Sequence, residues 1–221
     1  MNLLAAPFPE EWLWLASAIA ALLLLRAGMR IRWLQLSQPE LSSWFGATTL
    51  ILLLWQLQAS VTPGIAFHLL GATALMLIAG RDRALFSMLV IIVVDALWQG
   101  HGDAEAAGLS WLIAGWVPVT LSHYLLQLSQ RRLPCNFFIY IFLNSFAAGA
   151  LCIWTTGLLQ CLALAASPAF DLATLLDEQF PYFFMLGFPE AFTTGLNITI
   201  LVIWRPQWVA SFDDQRYLGR N

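Results

Sequence analysis

The chain contains no lysine; all ten of its basic residues are arginine. Without lysine there is no retinal Schiff base and no GxxxxGK[ST] phosphate loop, so ATP hydrolysis by such a loop is excluded. Charge of either sign is scarce, at 10% of 221 residues, where soluble domains carry roughly a quarter. Cysteine is scarce too. Cys152 and Cys161 stand nine positions apart in one apolar run, so they face opposite sides of a helix and read as packing residues. No GxSxG, HExxH or CxxC occurs, which leaves no support for an enzyme. No basic stripe is interleaved with aromatics, and nucleic-acid binding is not expected. Glu10 and Glu11 precede the first apolar run with no basic residue before them, so that run reads as retained rather than as an export signal.

What remains is apolar. Hydrophobic residues make up 60% of the chain and the mean hydropathy is +0.73, which is membrane composition. A bilayer-spanning helix needs about 20 apolar residues. The runs between breakers predict an all-α, polytopic, single domain over 1–221 with about seven transmembrane helices. They are Glu11–Leu25, Leu41–Ala59, Ile65–Gly80, Ala84–Gln99, Gly108–Gln130, Cys135–Ala165 and Pro181–Trp204. Arg26, Arg30, Arg32, Arg81, Arg83, Arg131, Arg132, Arg205, Arg216 and Arg220 then all fall on one side. By the positive-inside rule the N-terminus is outside and the C-terminus cytoplasmic. The outer segment Ser167–Phe180 reads as a short helix starting at Ser167-Pro168, with Phe170, Leu175 and Leu176 on the membrane surface. Trp98, Trp111, Trp154 and Trp204 read as interfacial anchors.

Ionisable groups inside a bilayer are costly and mark candidate sites. Four fall within the spans: His68, Asp95, His123 and Glu190. His68 and Asp95 lie at similar depth, roughly 6 Å below the outer ends of their helices. On a helix, Gly64, Gly71 and Ala72 share a face with His68 and leave room for a ligand or for a close helix contact. Glu190, Thr193 or Thr194, and Asn197 form a polar stripe that either lines a site or bonds a neighbouring helix. His123, Asn144 and Asn197 form an inner tier, and His101 reads as a loop residue. Ala16, Ala20, Gly46 and Ala47 offer a close approach to a partner helix or to one of the chain's own.

The segments "PGIAFHLLGATALMLIAG", "DALWQGHG" with "GLSWLIAGWVP", and "FPEAFTTGL" resemble conserved blocks of the CbiM/NikM family. These are the membrane substrate-capture components of cobalt and nickel energy-coupling-factor transporters. His68 stands at the family's histidine, and Glu190 and Thr193 match its GEALIT-like block. The resemblance implies a metal held by the Met1 amine, the Asn2 backbone nitrogen and His68, in a cavity open to the outer face. Nitrogen donors of this kind suit Ni²⁺ or Co²⁺. The family begins Met-His where this chain begins Met1-Asn2, so one imidazole is missing, and Asp95 or His101 becomes a candidate further ligand. Glu190 and Thr193 are candidate supporting residues.

The resemblance implies a multi-pass protein of the bacterial inner membrane, with no permanently bound cofactor, that captures its metal as substrate. Its partners would be membrane lipid, a separate transmembrane coupling subunit and ATPase subunits. Two other classes stay open: a non-transporting scaffold or assembly factor that has lost the metal site, and a membrane sensor of a small ligand.

Overall fold

The computed structural model describes residues 2–62, 65–99 and 103–219. Its helices are α1 (Glu10–Arg30), α2 (Gln38–Trp55), α3 (Ala72–Ala79), α4 (Arg81–Gln99), α5 (Ala104–Arg132), α6 (Phe137–Ala165), α7 (Leu172–Trp204) and α8 (Asp214–Leu218). Strands β1 (Ala59–Thr62) and β2 (Ile65–Phe67) pair antiparallel between α2 and α3, with a register shift between Ser60 and Thr62. Helices α1, α5, α6 and α7 are long and apolar enough to cross a membrane.

Local chemistry sets the helix ends. Ser37 and Glu40 close a capping box at the start of α2, where Pro39 occupies the first turn. Asp171 caps α7 by accepting from Thr174 N at 3.2 Å. That helix runs unbroken through the segment expected on the membrane surface. The surface reading of 167–180 is therefore corrected: Asp171 rather than Ser167 starts the helix, and Leu175 is buried in the bundle. Trp111, expected at an interface, is likewise fully buried and donates Nε1 to Leu85 O at 3.0 Å.

The larger correction concerns 65–80, expected as one membrane helix. The chain there is strand β2, a stretch without regular structure at 68–71, and only eight residues of helix. Gly71 has φ +70°, a left-handed conformation that a continuing helix cannot contain. The backbone N–H groups of Leu70 and Gly71 donate to the Glu190 carboxyl at 2.7 and 2.8 Å, so neither needs an intrahelical acceptor. The purely helical expectation thus fails at one place, where a hairpin and a strap replace half a helix.

Close packing comes from small residues against large ones. Gly149 and Gly157 on α6 and Gly187 and Gly195 on α7 form an antiparallel series of notches. Phe183 fills the notch at Gly157, Trp154 that at Gly187 and Phe146 that at Gly195. Helix α1 crosses α5 at Gly108, where an added Cβ would stand 2.6 Å from Ser17 Cα. Ala16 and Ala20 are buried on the inner side of α1, so they serve contacts within the chain. Helix α3 sits at the centre, with seven of its eight residues buried. A helix apolar on all sides belongs in such a position.

The arginine-bearing ends of the helices gather at one end of the molecule. Arg83 pairs with Glu40 at 3.2 Å, joining the start of α2 to the α3–α4 turn. The C-terminal segment folds across this end and takes up the last carbonyls of α3. Ala210 N donates to Ile78 O at 3.0 Å, and Ser211 N and Oγ donate to Leu77 O at 3.1 and 2.8 Å. Tyr140, Phe212 and Tyr217 pack ring to ring around that junction.

Candidate functional site

His68 lies in the strap between β2 and α3 and is 2% exposed. Its ring packs on the indole of Trp55 with centroids 4.1 Å apart. Nδ1 lies 2.9 Å from Leu69 O. A neutral imidazole donating from Nδ1 carries its lone pair on Nε2, the nitrogen then able to ligate a metal. The strap itself is pinned from both sides. Trp55 Nε1 donates to Leu70 O at 3.2 Å from α2, and Glu190 accepts from Leu70 and Gly71 from α7. The helical face expected for His68, Gly71 and Ala72 is absent, because the chain is not helical before Ala72. Gly64 lies outside the described residues.

The N-terminal segment enters the bundle at the end far from the arginines. Asp95 is 14 positions beyond Arg81 on α4, about 21 Å along the helix. There the Asn2 side-chain amide donates to Asp95 Oδ2 at 2.8 Å and to Ile92 O at 3.2 Å. Leu3 N donates to Ser110 Oγ at 2.9 Å, and Ala5 N to Asp103 Oδ2 at 2.7 Å. Leu3 and Phe8 are buried in the apolar core. The first residues are thus built into the fold between α4 and α5.

Of the sequence-derived candidates, Met1 and His101 lie outside the described residues. Asn2 is buried, with its amide committed to α4. Asp95 holds Asn2, and Glu190 holds the His68 strap. Thr193 stands one turn from Glu190, where its carbonyl accepts Asn197 Nδ2 at 2.7 Å. It lines a lateral cavity of about 240 Å³ between α2, α3 and α7, together with Gly46, Ala47, Leu69 and Glu190. The inner tier does not converge: Asn144 accepts from Ser129 Oγ at 2.9 Å, and His123 meets Gln127 of its own helix at 2.9 Å. Sequence reasoning missed Trp55, one of eleven tryptophans with nothing local to distinguish it. It also missed Ser110 and Asp103, whose partners lie about a hundred positions away.

Among the described residues, no three His, Cys, Asp or Glu side chains gather closely enough to cage a metal.

Residues 3–208 match the CbiM family, described as the cobalt uptake substrate-specific transmembrane region. No curated protein matches the chain. Two crystal structures share its fold. One, described as a truncated transition metal transporter, has a TM-score of 0.79 at 17% identity, covering 92% of this chain and 99% of its own. The other, described as a transition metal transporter, has a TM-score of 0.78 at 17% identity, covering 91% and 92%.

Proposed function

The chain belongs to the CbiM family, a membrane family of transition-metal uptake, and from that premise we propose that it captures Ni²⁺ or Co²⁺ at His68 from the outer face. The observation that carries this reading is the pinned strap. A buried imidazole packs on the Trp55 indole and meets the Leu69 carbonyl, in a strap whose backbone Trp55 and the Glu190 carboxyl hold, toward the end of the bundle where the N-terminal segment is tucked in. The ligand set is His68, the Asn2 backbone nitrogen and the Met1 amine. Glu190 and Trp55 position the strap. Asp95 fixes Asn2 and so the start of the chain, while Thr193 sits on the cavity side of Glu190 as support.

Seven passes follow if α2, α4 and the strap with α3 cross beside the four long helices. The single arginine-bearing end then faces the cytoplasm of a bacterial inner membrane and the N-terminus faces out. With no lysine for a phosphate loop, energy comes from separate ATPase subunits through a coupling subunit of the energy-coupling-factor type. The metal is cargo, and no resident cofactor is required.

The test is metal binding by the purified full-length chain in detergent, titrated with Ni²⁺ and with Co²⁺ beside His68→Ala. One ion per chain in wild type, with affinity reduced at least about tenfold in the variant, supports the reading; loss of a single well-placed nitrogen ligand is worth that much or more. Equal binding by both, with matched melting curves, overturns it. One observation favours a second reading, a scaffold that keeps the bundle without the metal: the Asn2 side chain is spent on Asp95 and Ile92. Under that reading neither protein binds the metal.

A further inference from the structure

At the arginine-bearing end, Arg26 and Arg30 of α1, Arg81, Asp82 and Leu85 of α4, and Trp116 of α5 enclose a recess of about 240 Å³. Three guanidiniums face one carboxylate there. Among the described residues the only ion pair is Arg83 with Glu40, so Arg26, Arg30 and Arg81 each lack an acidic partner within salt-bridge reach. Arg81 Nε is shielded from solvent and has no hydrogen-bond partner among the described residues. A shielded N–H of a cation left unmade is costly, and a bidentate oxyanion is the partner its planar fork fits. Arg81 also opens α4, whose N-terminal dipole adds positive potential. The remaining wall, Leu85 and Trp116 with Leu23, is apolar.

We propose that this recess holds the phosphate of an anionic phospholipid, its glycerol end lying along Leu85 and Trp116. The choice of a lipid over a bare phosphate rests on the apolar wall. It also rests on position, since the recess lies where the apolar run of α1 gives way to arginine, the level of the headgroups. Basic pockets between membrane helices on this side of a bilayer suit such headgroups. The proposal uses the membrane placement of the bundle and is independent of the metal at His68.

The experiment measures binding of the full-length protein to brominated phosphatidylglycerol, read as quenching of tryptophan fluorescence in phosphatidylcholine vesicles. Arg26→Gln/Arg81→Gln is compared with Arg131→Gln/Arg132→Gln, which removes equal charge outside the recess. Both doubles lose the diffuse attraction of two charges, and the recess double is expected to weaken phosphatidylglycerol binding by roughly tenfold or more beyond the control. Arg26→Lys/Arg81→Lys, which keeps charge without the fork, is expected to fall between. Arg30→Gln serves where the recess double does not fold, with the same direction of effect. Equal losses in the recess and control doubles would mean diffuse attraction and would overturn the site. Displacement of the lipid by inorganic phosphate at equal affinity would assign the recess to a free anion and overturn the lipid. An unchanged lipid preference, with lost association to a coupling subunit, would hand the recess to a protein instead.

Discussion

Replacing Glu190 separates its structural work from any metal chemistry. In wild type both carboxyl oxygens accept backbone N–H groups, from Leu70 at 2.7 Å in a buried bond and from Gly71 at 2.8 Å in a part-buried one. Glu190→Ala strands the Leu70 donor in the buried interior and the Gly71 donor beside the cavity. A fully stranded donor costs about 1–3 kcal/mol and a part-exposed one less, so the pair costs about 1–6 kcal/mol before any packing loss. For a chain of this size roughly 2–4 °C of melting temperature follows each kcal/mol, and a fall of at least about 2 °C is expected. Glu190→Gln keeps the shape but offers one oxygen and one NH₂, so one donor stays satisfied while the other faces a second donor. Its fall should be about half that of alanine. The assay is thermal unfolding of metal-free protein in detergent, followed by tryptophan emission, with Ni²⁺ titrated afterwards into each variant. A Glu190→Ala melting curve within about 1 °C of wild type would refute the claim that this carboxyl holds the strap.

Three further perturbations test other parts of the fold. Gly108→Ala sets a methyl 2.6 Å from Ser17 Cα, a backbone atom that cannot rotate aside, and should cost about 1–3 kcal/mol in thermal unfolding. Gly46→Ala meets nothing within 4 Å and should instead gain about 0.5–1 kcal/mol. Asn2→Ala withdraws the amide from Asp95 Oδ2 and Ile92 O, a loss of about 1–3 kcal/mol. It should also raise hydrogen exchange at Leu3 and Ala5. Glu40 is held below the usual 4.5 by the Ser37 backbone N–H, with the Ser37 hydroxyl and Arg83 adding to the effect. What it contributes is therefore complete above pH 4.5 and fades as acid carries the solution through the lowered value. Protection of the first turn of α2 against hydrogen exchange, relative to the intrinsic rate at each pH, should fall in that acid range in wild type and stay flat in Glu40→Gln.

Much of this architecture is written in short-range chemistry. The scarcity of charge, the ten arginines and the apolar runs mark α1, α5 and α6 to within about five residues of their observed limits, because length and hydropathy alone settle whether a segment suits a bilayer; α7 ends where expected at Trp204 but starts at Leu172, nine residues before Pro181. Of the arginines expected on one side, Arg26, Arg30 and Arg81 line one recess, and Arg30, Arg32, Arg81 and Arg83 line the next. The segment around His68 was misread because its composition is that of a helix. What breaks it is a carboxyl about 120 positions downstream, together with a glycine whose left-handed φ no local pattern announces. Glu190 was identified as a polar member of a membrane helix, but nothing near it in sequence says that its partners are the N–H groups of Leu70 and Gly71. Asn2 likewise reads as a lost imidazole, and only the folded chain reveals its bonds to α4. Trp111 illustrates the same limit, since an indole near a span end looks interfacial until a carbonyl from another helix is brought to it.

Helix α3 is little more than two turns long, and its two ends are fastened to different things. Gly71, the residue that caps its start, is tied to α7 through Glu190, and its last carbonyls belong to the C-terminal segment through Ala210 and Ser211. A spacer this short and this tightly enclosed has no slack in which to absorb a displacement. Any shift of the imidazole strap along the bundle axis must therefore either tear the seam at Leu77 and Ile78 or carry the tail along with it. Two ends of the bundle are in this way geared to one another by eight residues.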